Sequence, residues 1–407
     1  MSDLLSLADI EAARETLAGV VKTTPLEHSM PLSNRLGMPV WLKCENQQRA
    51  GSYKVRGAYT RISRLSDAER ARGVVAASAG NHAQGVALAA GLLGARSTVF
   101  MPEGAPLPKV TATKSYGAAI EYAGRTVDDA LAAAREFADR TGAVLIHPFD
   151  HHDVIAGQGT VGLEIIEQCP DVGTIITAVG GGGLISGVAV AVKALKPEVR
   201  IVGVQAAGAA AYPPSLRAGA PITLTESATI ADGIAVMRPG DLTFAHVNDL
   251  VDEVVTVTDE DLSAALLVML ERHKMVVEPA GGAAVAALLT GNLQLKPPVV
   301  AILSGGNIDP MLLMRVIEHG LASAGRFLRL SVQTGDKPGE LAGLLSEIAR
   351  HRANIVDVTH TRHNPGLSFG QVEVQLSVET RGPDHSHTLI GSLRDQGYQV
   401  ALLSGTP

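Results

Sequence analysis

Two kinds of hydrophobic pattern follow one another along this chain. Up to about residue 303, short, almost purely apolar runs alternate with longer segments whose apolar positions recur every three to four residues. The runs at 40–43, 74–77, 97–101, 119–122, 143–146, 174–179, 201–204, 253–257 and 299–303 predict strands. Helices are predicted at 7–17, from the glycine-flanked stretch at 51–57 to about 65, and at 83–93, 109–116, 127–140, 153–168, 184–195, 262–272 and 280–289. Strands that are apolar on both faces and alternate with helices build βαβ units, with largely parallel sheets covered on both sides.

Near residues 320–325 the pattern changes. Leu328, Leu330 and Val332 alternate with Arg329, Ser331 and Gln333, as in a strand with one dry face. A helix is expected next, with Asp336 in its N-cap region, Pro338 in its first turn, and Leu341, Leu344, Leu345 and Ile348 on one side. Strands at 354–358, 371–379 and 398–403 and a helix at 387–396 complete the order βαββαβ. That order implies an antiparallel, ferredoxin-like sheet, wet on one face or paired with a partner.

At 407 residues, 46% hydrophobic and 18% charged, the chain should hold two or three well-filled domains. A net charge of -7 without a basic cluster argues against nucleic-acid binding. Cys44 and Cys169 form neither a disulfide framework nor a metal-type spacing, and a reducing cytoplasm is the expected compartment. Met1-Ser2-Asp3 opens with neither a basic nor an apolar region, so no signal peptide is expected. Residues 172–192 carry no charge and could cross a bilayer by length alone. Four glycines at their centre would break such a helix, so a strand, a turn and a helix are expected, and no membrane partner.

Five stretches carry candidate chemistry. Lys54, in Gly51-Ser52-Tyr53-Lys54-Val55-Arg56-Gly57, is a candidate Schiff-base nucleophile if it is withdrawn from water; its plain alternative is a surface lysine on an amphipathic helix. Gly180, Gly181, Gly182, Gly183 and Leu184 follow a strand and open a helix, where bare N–H groups suit a phosphate. The run matches neither the dinucleotide fingerprint nor the Walker loop. Ser78, Ala79, Gly80, Asn81 and His82 lie at another strand–helix turn and suit a carboxylate or ring hydroxyl, or simply cap a helix. Ser304-Gly305-Gly306-Asn307 ends a buried strand, the edge at which α/β sheets place ligands. Glu278, before Pro279, is either an acid near a site or an anion favoured by the helix dipole. The pairs His151-His152 and His385/His387 lack metal-type partners and are expected in solvated loops. Together the five stretches meet the needs of pyridoxal phosphate: an amine for its aldehyde, donors for its phosphate and a partner for its ring nitrogen.

In this order the motifs resemble the fold-type II pyridoxal-phosphate enzymes, and among them the threonine ammonia-lyases. The likeness runs from about residue 7 to 321, and from about Phe327 the tail resembles an ACT regulatory domain, with Asp336 to Leu341 as its loop. The resemblance implies a two-part parallel-sheet catalytic region at 1–322, a smaller subdomain at about 40–145 inserted in the larger, and a ferredoxin-like ACT domain at 326–404. It implies that Lys54 carries the cofactor beside Tyr53 and later takes the Cα proton. Asn81 would bond the ring hydroxyl, Gly180 to Leu184 the phosphate, Ser304 the pyridine nitrogen, and Ser78 with the backbone of Ala79 to His82 the substrate carboxylate. Glu278 would stand behind them. The activity implied is β-elimination of L-threonine to 2-oxobutanoate and ammonia, with L-serine to pyruvate beside it, in a homodimer or homotetramer.

The resemblance leaves rivals. A lyase for serine or 3-hydroxyaspartate, a β-replacement synthase and a serine racemase share these motifs. Racemases of this kind usually carry Ser where this chain has Ala79, so racemisation should be weak. Metal-using relatives tend to have Glu after the strand at 201–204; Gln205 stands here, and no metal is expected. The ACT-like tail implies an amino-acid effector or a purely structural dimer contact. A sensor built on a retired fold would be free to lose Lys54, which this chain keeps.

Overall fold

The fold is described from a computed structural model over residues 4–323, 325–362 and 367–403. Met1, Ser2 and Asp3, the basis of the signal-peptide expectation, and Ser404, the predicted end of the tail domain, lie outside the described residues. Two compact units are present, Met1–Asp309 and Pro310–Pro407.

The first unit opens with α1 (Leu7–Leu17), β1 (Leu26–His28), α2 (Met30–Leu36), β2 (Val40–Lys43), α3 (Lys54–Ser63) and α4 (Asp67–Arg72). There follow β3 (Val74–Ala77), α5 (Asn81–Leu92), β4 (Ser97–Met101), α6 (Leu107–Ser115), β5 (Ala119–Tyr122), α7 (Val127–Thr141) and β6 (Val144–Leu145). Then come α8 (His152–Gln168), β7 (Thr174–Ala178), α9 (Gly183–Leu195), β8 (Arg200–Ala206), α10 (Tyr212–Ala218) and α11 (Asp241–Leu250). The unit ends with β9 (Glu253–Val257), α12 (Asp259–Val268), α13 (Pro279–Thr290) and β10 (Val299–Ile302).

Its strands form two sheets. The larger runs β1-β2-β10-β7-β8-β9 and the smaller β5-β4-β3-β6, parallel throughout except where β1 meets β2. With their helices they make a larger and a smaller lobe. The central runs are buried as their composition requires, with Ile175, Ile201, Val300 and Ile302 packed with Ile185 and Val188 of α9, while the edge strands β5 and β9 stay mostly exposed or half-buried. Segment 172–192 is β7, a glycine turn and α9, and no helix among the described residues is long and apolar enough to cross a membrane. Backbones approach closely where α3, α8 and α9 stack. A Cβ on Gly57 would lie 2.7 Å from the Val154 carbonyl, and one on Gly187 2.3 Å from that of Ile155. β2, assigned by the sequence to the start of the smaller subdomain, pairs with β10 in the larger sheet instead.

The second unit holds α14 (Pro310–Ser323), β11 (Phe327–Gly335), α15 (Glu340–Arg350), β12 (Asn354–Thr361), β13 (Gln371–Glu379), α16 (Pro383–Asp395) and β14 (Gln399–Leu402). The sheet order is β12-β13-β11-β14, antiparallel throughout. Leu330, Val332, Val374 and Leu376 meet Leu344, Ile348, Leu389 and Leu393 in its core. The first unit's chain ends at Asp309, so α14 groups with this unit, where the sequence placed it at the end of the catalytic region.

Three local expectations fail for physical reasons. α15 starts at Glu340 after Gly339 at φ 96, a left-handed residue that breaks the helix path, so Asp336 and Pro338 precede the helix. Asp336 instead pairs with Arg362 at 3.1 Å. Pro383 starts α16 four residues early, which makes His385 and His387 helical, and His385 Nε2 donates to the His351 carbonyl at 2.7 Å. His151 is no loop histidine either: it caps α8, accepting from the Asp153 N–H at 3.1 Å.

Candidate active site

Lys54 is the first residue of α3. The two residues before it run beside the end of β10: Ser52 bridges Gly305, and the Tyr53 N–H donates to the Ser304 carbonyl at 3.2 Å. Lys54 Nζ donates to the Pro148 carbonyl at 2.8 Å and lies 5.3 Å from the centre of the Tyr53 ring. Burial pulls the amine down to about 8, with Glu278 acting weakly the other way. An amine so shifted is a nucleophile and a base near neutral pH, which a solvated surface lysine is not.

The glycine turn links β7 to α9. Gly182 is the N-cap of α9 at φ 100, and no side chain caps the first N–H groups of this 13-residue helix. Those donors and the helix dipole are left to favour an anion. The turn is gripped from outside. Tyr212 Oη and Thr243 Oγ1 both donate to the Gly181 carbonyl, at 3.2 and 2.6 Å. A Cβ on Gly181 would come within 2.3 Å of the Phe149 ring, and one on Gly182 within 2.0 Å of the Tyr212 hydroxyl. Leu184 turns into the larger lobe's core. Since Phe149 follows Pro148, one short loop touches both the Lys54 amine and the glycine turn.

At the N-terminus of α5 the capping alternative does not hold. Gly80 is the N-cap, and no side chain caps the helix. Ser78 Oγ accepts from the Gly80 N–H at 3.1 Å, folding the half-buried Ser78-Ala79-Gly80 turn on itself. Asn81 points elsewhere: Nδ2 donates to Glu278 Oε1, and Oδ1 accepts from Asn307 Nδ2 at 2.8 Å. His82 Nε2 donates to the Ile146 carbonyl at 2.8 Å. Burial, helped by the nearby Lys54, drives this imidazole down to about 3, so it stays neutral and structural.

Glu278 is the N-cap of α13 and is buried. Burial, and then the charge of Asp232, push its carboxyl up to about 7, while Lys109, Asn81 and Lys54 pull the other way. Its N–H donates to the Gly305 carbonyl at 3.1 Å. Ser304 is buried beside it, with Oγ donating to the Ala280 carbonyl at 3.4 Å. Four of the five stretches singled out in the sequence therefore touch one another, and the glycine turn reaches Lys54 through the Pro148-Phe149 pair.

Sequence reasoning missed what supports them. The loop His147-Pro148-Phe149-Asp150 carries no motif; its signal was only a Pro-Phe pair after a short, half-buried strand. Asp150 accepts from the N–H groups of Asp241 and Thr243 at the start of α11, which aims Thr243 at the glycine turn. Beneath Lys54, Arg56 donates to both oxygens of Glu45 at 2.8 Å and to Glu164 at 2.7 Å; Lys43 donates to Glu164 at 2.5 Å. Two cations and two carboxylates thus form a buried neutral cluster.

The family described as pyridoxal-phosphate dependent enzyme matches residues 17–305. This chain belongs to that family. It is 47% identical over 395 residues to the L-threonine ammonia-lyase of Geobacter sulfurreducens, spanning 97% of this chain and 98% of that one. Among solved structures it resembles the processed form of threonine deaminase isoform 2 from Solanum lycopersicum, with a TM-score of 0.73 and 39% identity over 77% of this chain and 92% of that one. It resembles maize serine racemase as closely, with a TM-score of 0.73 and 38% identity over 78% and 98%. The residues of this pyridoxal-phosphate enzyme fit its cofactor: a lysine amine lowered to about 8 and a helix N-terminus with uncapped donors stand on either side of the Pro148-Phe149 pair.

Proposed function

We propose that the chain is a threonine ammonia-lyase, converting L-threonine to 2-oxobutanoate and ammonia and, beside it, L-serine to pyruvate. The observation that carries the proposal is the 47% identity to an L-threonine ammonia-lyase over nearly the whole of both chains. Lys54, Tyr53, Asn81, Gly180 to Leu184 and Ser304 would hold pyridoxal phosphate. When bound, the cofactor supplies an aldehyde for the substrate amine and a conjugated ring that acidifies the Cα–H bond.

The chain's own residues then have distinct tasks. Ser78 and the N–H groups from Ala79 to His82 bind the substrate carboxylate and fix which Cα bond faces the lysine. Lys54 Nζ, lowered by burial and held by the Pro148 carbonyl, accepts the Cα proton. The Cβ–O bond breaks and the hydroxyl leaves as water, taking up a proton equivalent to the one lost from Cα. The released enamine takes water back at C2 and loses ammonia, so atoms balance and nothing is oxidised. Ser304 is a neutral hydroxyl and stabilises a ring cation less than a carboxylate would, which favours prompt elimination over transamination.

Measurements on the purified protein test this. Its absorption spectrum, borohydride reduction and peptide mapping should place the fixed cofactor on Lys54. A keto-acid assay should rank L-threonine above L-serine and 3-hydroxyaspartate. A label on another lysine, or no 2-oxobutanoate from threonine, would overturn the proposal. The likeness to a serine racemase favours a second activity, and Ala79, lacking a hydroxyl for the opposite face, argues that D-serine forms slowly.

For the second unit we propose an ACT-like regulatory domain that binds an amino-acid effector, in a cytoplasmic homodimer or homotetramer serving isoleucine synthesis. Its sheet order and a cavity of about 390 Å³ lined by Thr334, Asp336, Glu340, His360 and Arg362 support this reading. A chain ending at Asp309 that kept every response to added amino acids would refute it.

A further inference from the structure

Besides the bond from Asn307 to Asn81, two polar contacts cross between the lobes of the first unit at the same place. One is Asn81 of α5 on Glu278 of the larger lobe. The other is Lys109 of α6 on Asp232, which starts a short turn at Asp232–Ile234. Lys109 is 7% exposed, so its ammonium has lost most of its water and depends on a counter-charge. The Asp232 side chain is 57% exposed and is brought by a segment anchored elsewhere: Thr229 Oγ1 and the Ile230 N–H donate to Asp259 at 2.6 and 3.0 Å.

The turn that carries Asp232 also touches the site on two sides. A Cβ on Gly233 would lie 3.0 Å from Ala280 Cβ and 3.6 Å from Glu278 Oε1. A Cβ on Gly180 would lie 3.0 Å from Ile234 Cα. Three consecutive residues therefore meet the smaller lobe, the Glu278 carboxyl and the glycine turn. Asp232 also pushes the Glu278 carboxyl up while Lys109 opposes it, so the pair influences the group that orients Asn81. A surface ion pair that only fastened two elements would have neither connection.

We propose that Lys109 and Asp232 are positioning residues, whose ion pair clasps the smaller lobe to the larger beside Glu278 and so holds Asn81 in place for the elimination. The proposal rests on the reading that Lys54, Asn81 and Ser304 form the elimination site. Neither residue touches the reacting atoms; they act by keeping the α5 and α6 ends of the smaller lobe closed on α13. An open clasp leaves the carboxylate-binding turn at Ser78 to Asn81 free to swing away, and substrate binding suffers before the chemical step does.

The test uses the full-length holoenzyme and three variants: Asp232→Asn, Lys109→Met, and the charge swap Lys109→Glu with Asp232→Lys. Asp232→Asn changes a half-exposed side chain and should fold. The KM for L-threonine should rise about tenfold in each single variant, the weight of one charge-assisted hydrogen bond, with a smaller fall in kcat. The swap should recover most of that loss. Amide exchange at 107–115 and 230–236 should quicken in the single variants and slow again in the swap. KM and exchange within about twofold of the parent in Asp232→Asn, or a swap no better than the single variants, would overturn the clasp. Borohydride mapping separates the two readings. A label on Lys54 with unchanged KM removes the clasp alone, and a label elsewhere in the parent removes the site reading on which it rests.

Discussion

Replacing Arg56 with Met removes the centre of the buried charge cluster while keeping most of the side chain's volume. Arg56 and Glu45 have no exposed side-chain surface, and Glu164 has little. Burial would lower the guanidinium's pKa, but Glu45 and Glu164 overcome it and hold the group well above its usual range. In the variant Glu45 keeps Thr24 Oγ1 at 2.6 Å, and Glu164 keeps Lys43. One carboxylate charge is then uncompensated out of water. Breaking a buried pair in this way costs about 3–5 kcal/mol. Trp41, the single tryptophan, sits on β2 two residues from Lys43, so its fluorescence reports the first unit without the second. With a urea slope of about 3 kcal/mol per molar, the unfolding midpoint should fall by about 1–1.7 M at pH 8. Adding Glu45→Gln restores neutrality and should return part of it. A midpoint shift below about 0.3 M, or a double variant less stable than the single, would refute the argument that the cluster acts as a compensated whole.

Glu278→Gln should alter how stability depends on pH. The folded carboxyl is raised to about 7 from the ordinary 4.5, so across that range the folded state binds the proton more tightly and stability falls as pH rises. Urea titrations from pH 4.5 to 7.5 should show a loss of about 3 kcal/mol in the parent that the Gln variant lacks, and parallel curves would count against a buried, mostly protonated acid. Gly181→Ala puts a Cβ 2.3 Å from the Phe149 ring, which must shift together with its neighbour Pro148. Cofactor retention on dialysis should weaken by about tenfold while the unfolding midpoint moves little, and unchanged retention would show that the turn gives without consequence.

Much of the fold was legible because both of its patterns have a strict physical cause. A strand buried on two faces favours an apolar run, which is why β3 falls on residues 74–77 as read, with all four residues buried; β9, read at 253–257, is an edge strand whose Thr256 is exposed. The alternation of Val372, Val374, Leu376 and Val378 likewise fixed β13. Short helices without a long amphipathic period escaped, among them α2, α4 and α10, which are defined by caps and by prolines in their first turn more than by an apolar face. β2 was given to the wrong lobe because an apolar run states that it is buried and not which sheet buries it.

The site divides along a different line. Motifs whose chemistry lies in a residue type could be read: an amine, bare glycine donors, a hydroxyl at a strand end. What could not be read was why each stands where it does, since that depends on partners far away in sequence. Gly181 is the sharpest instance. Read as a donor to phosphate, it needs to be glycine for the ligand; the Phe149 ring 2.3 Å from a notional Cβ shows that it needs to be glycine for the protein too. The two demands are joined through Pro148, whose carbonyl holds Lys54 Nζ at 2.8 Å. A larger residue in the turn would therefore disturb the lysine as well as the proposed phosphate site, although nothing in the sequence connects residue 181 with residue 54. The same holds for Glu278, where a helix-dipole partner was the simpler expectation. Its carboxyl is taken up by Asn81, so its charge state is tied to the part of the smaller lobe that we propose receives the substrate.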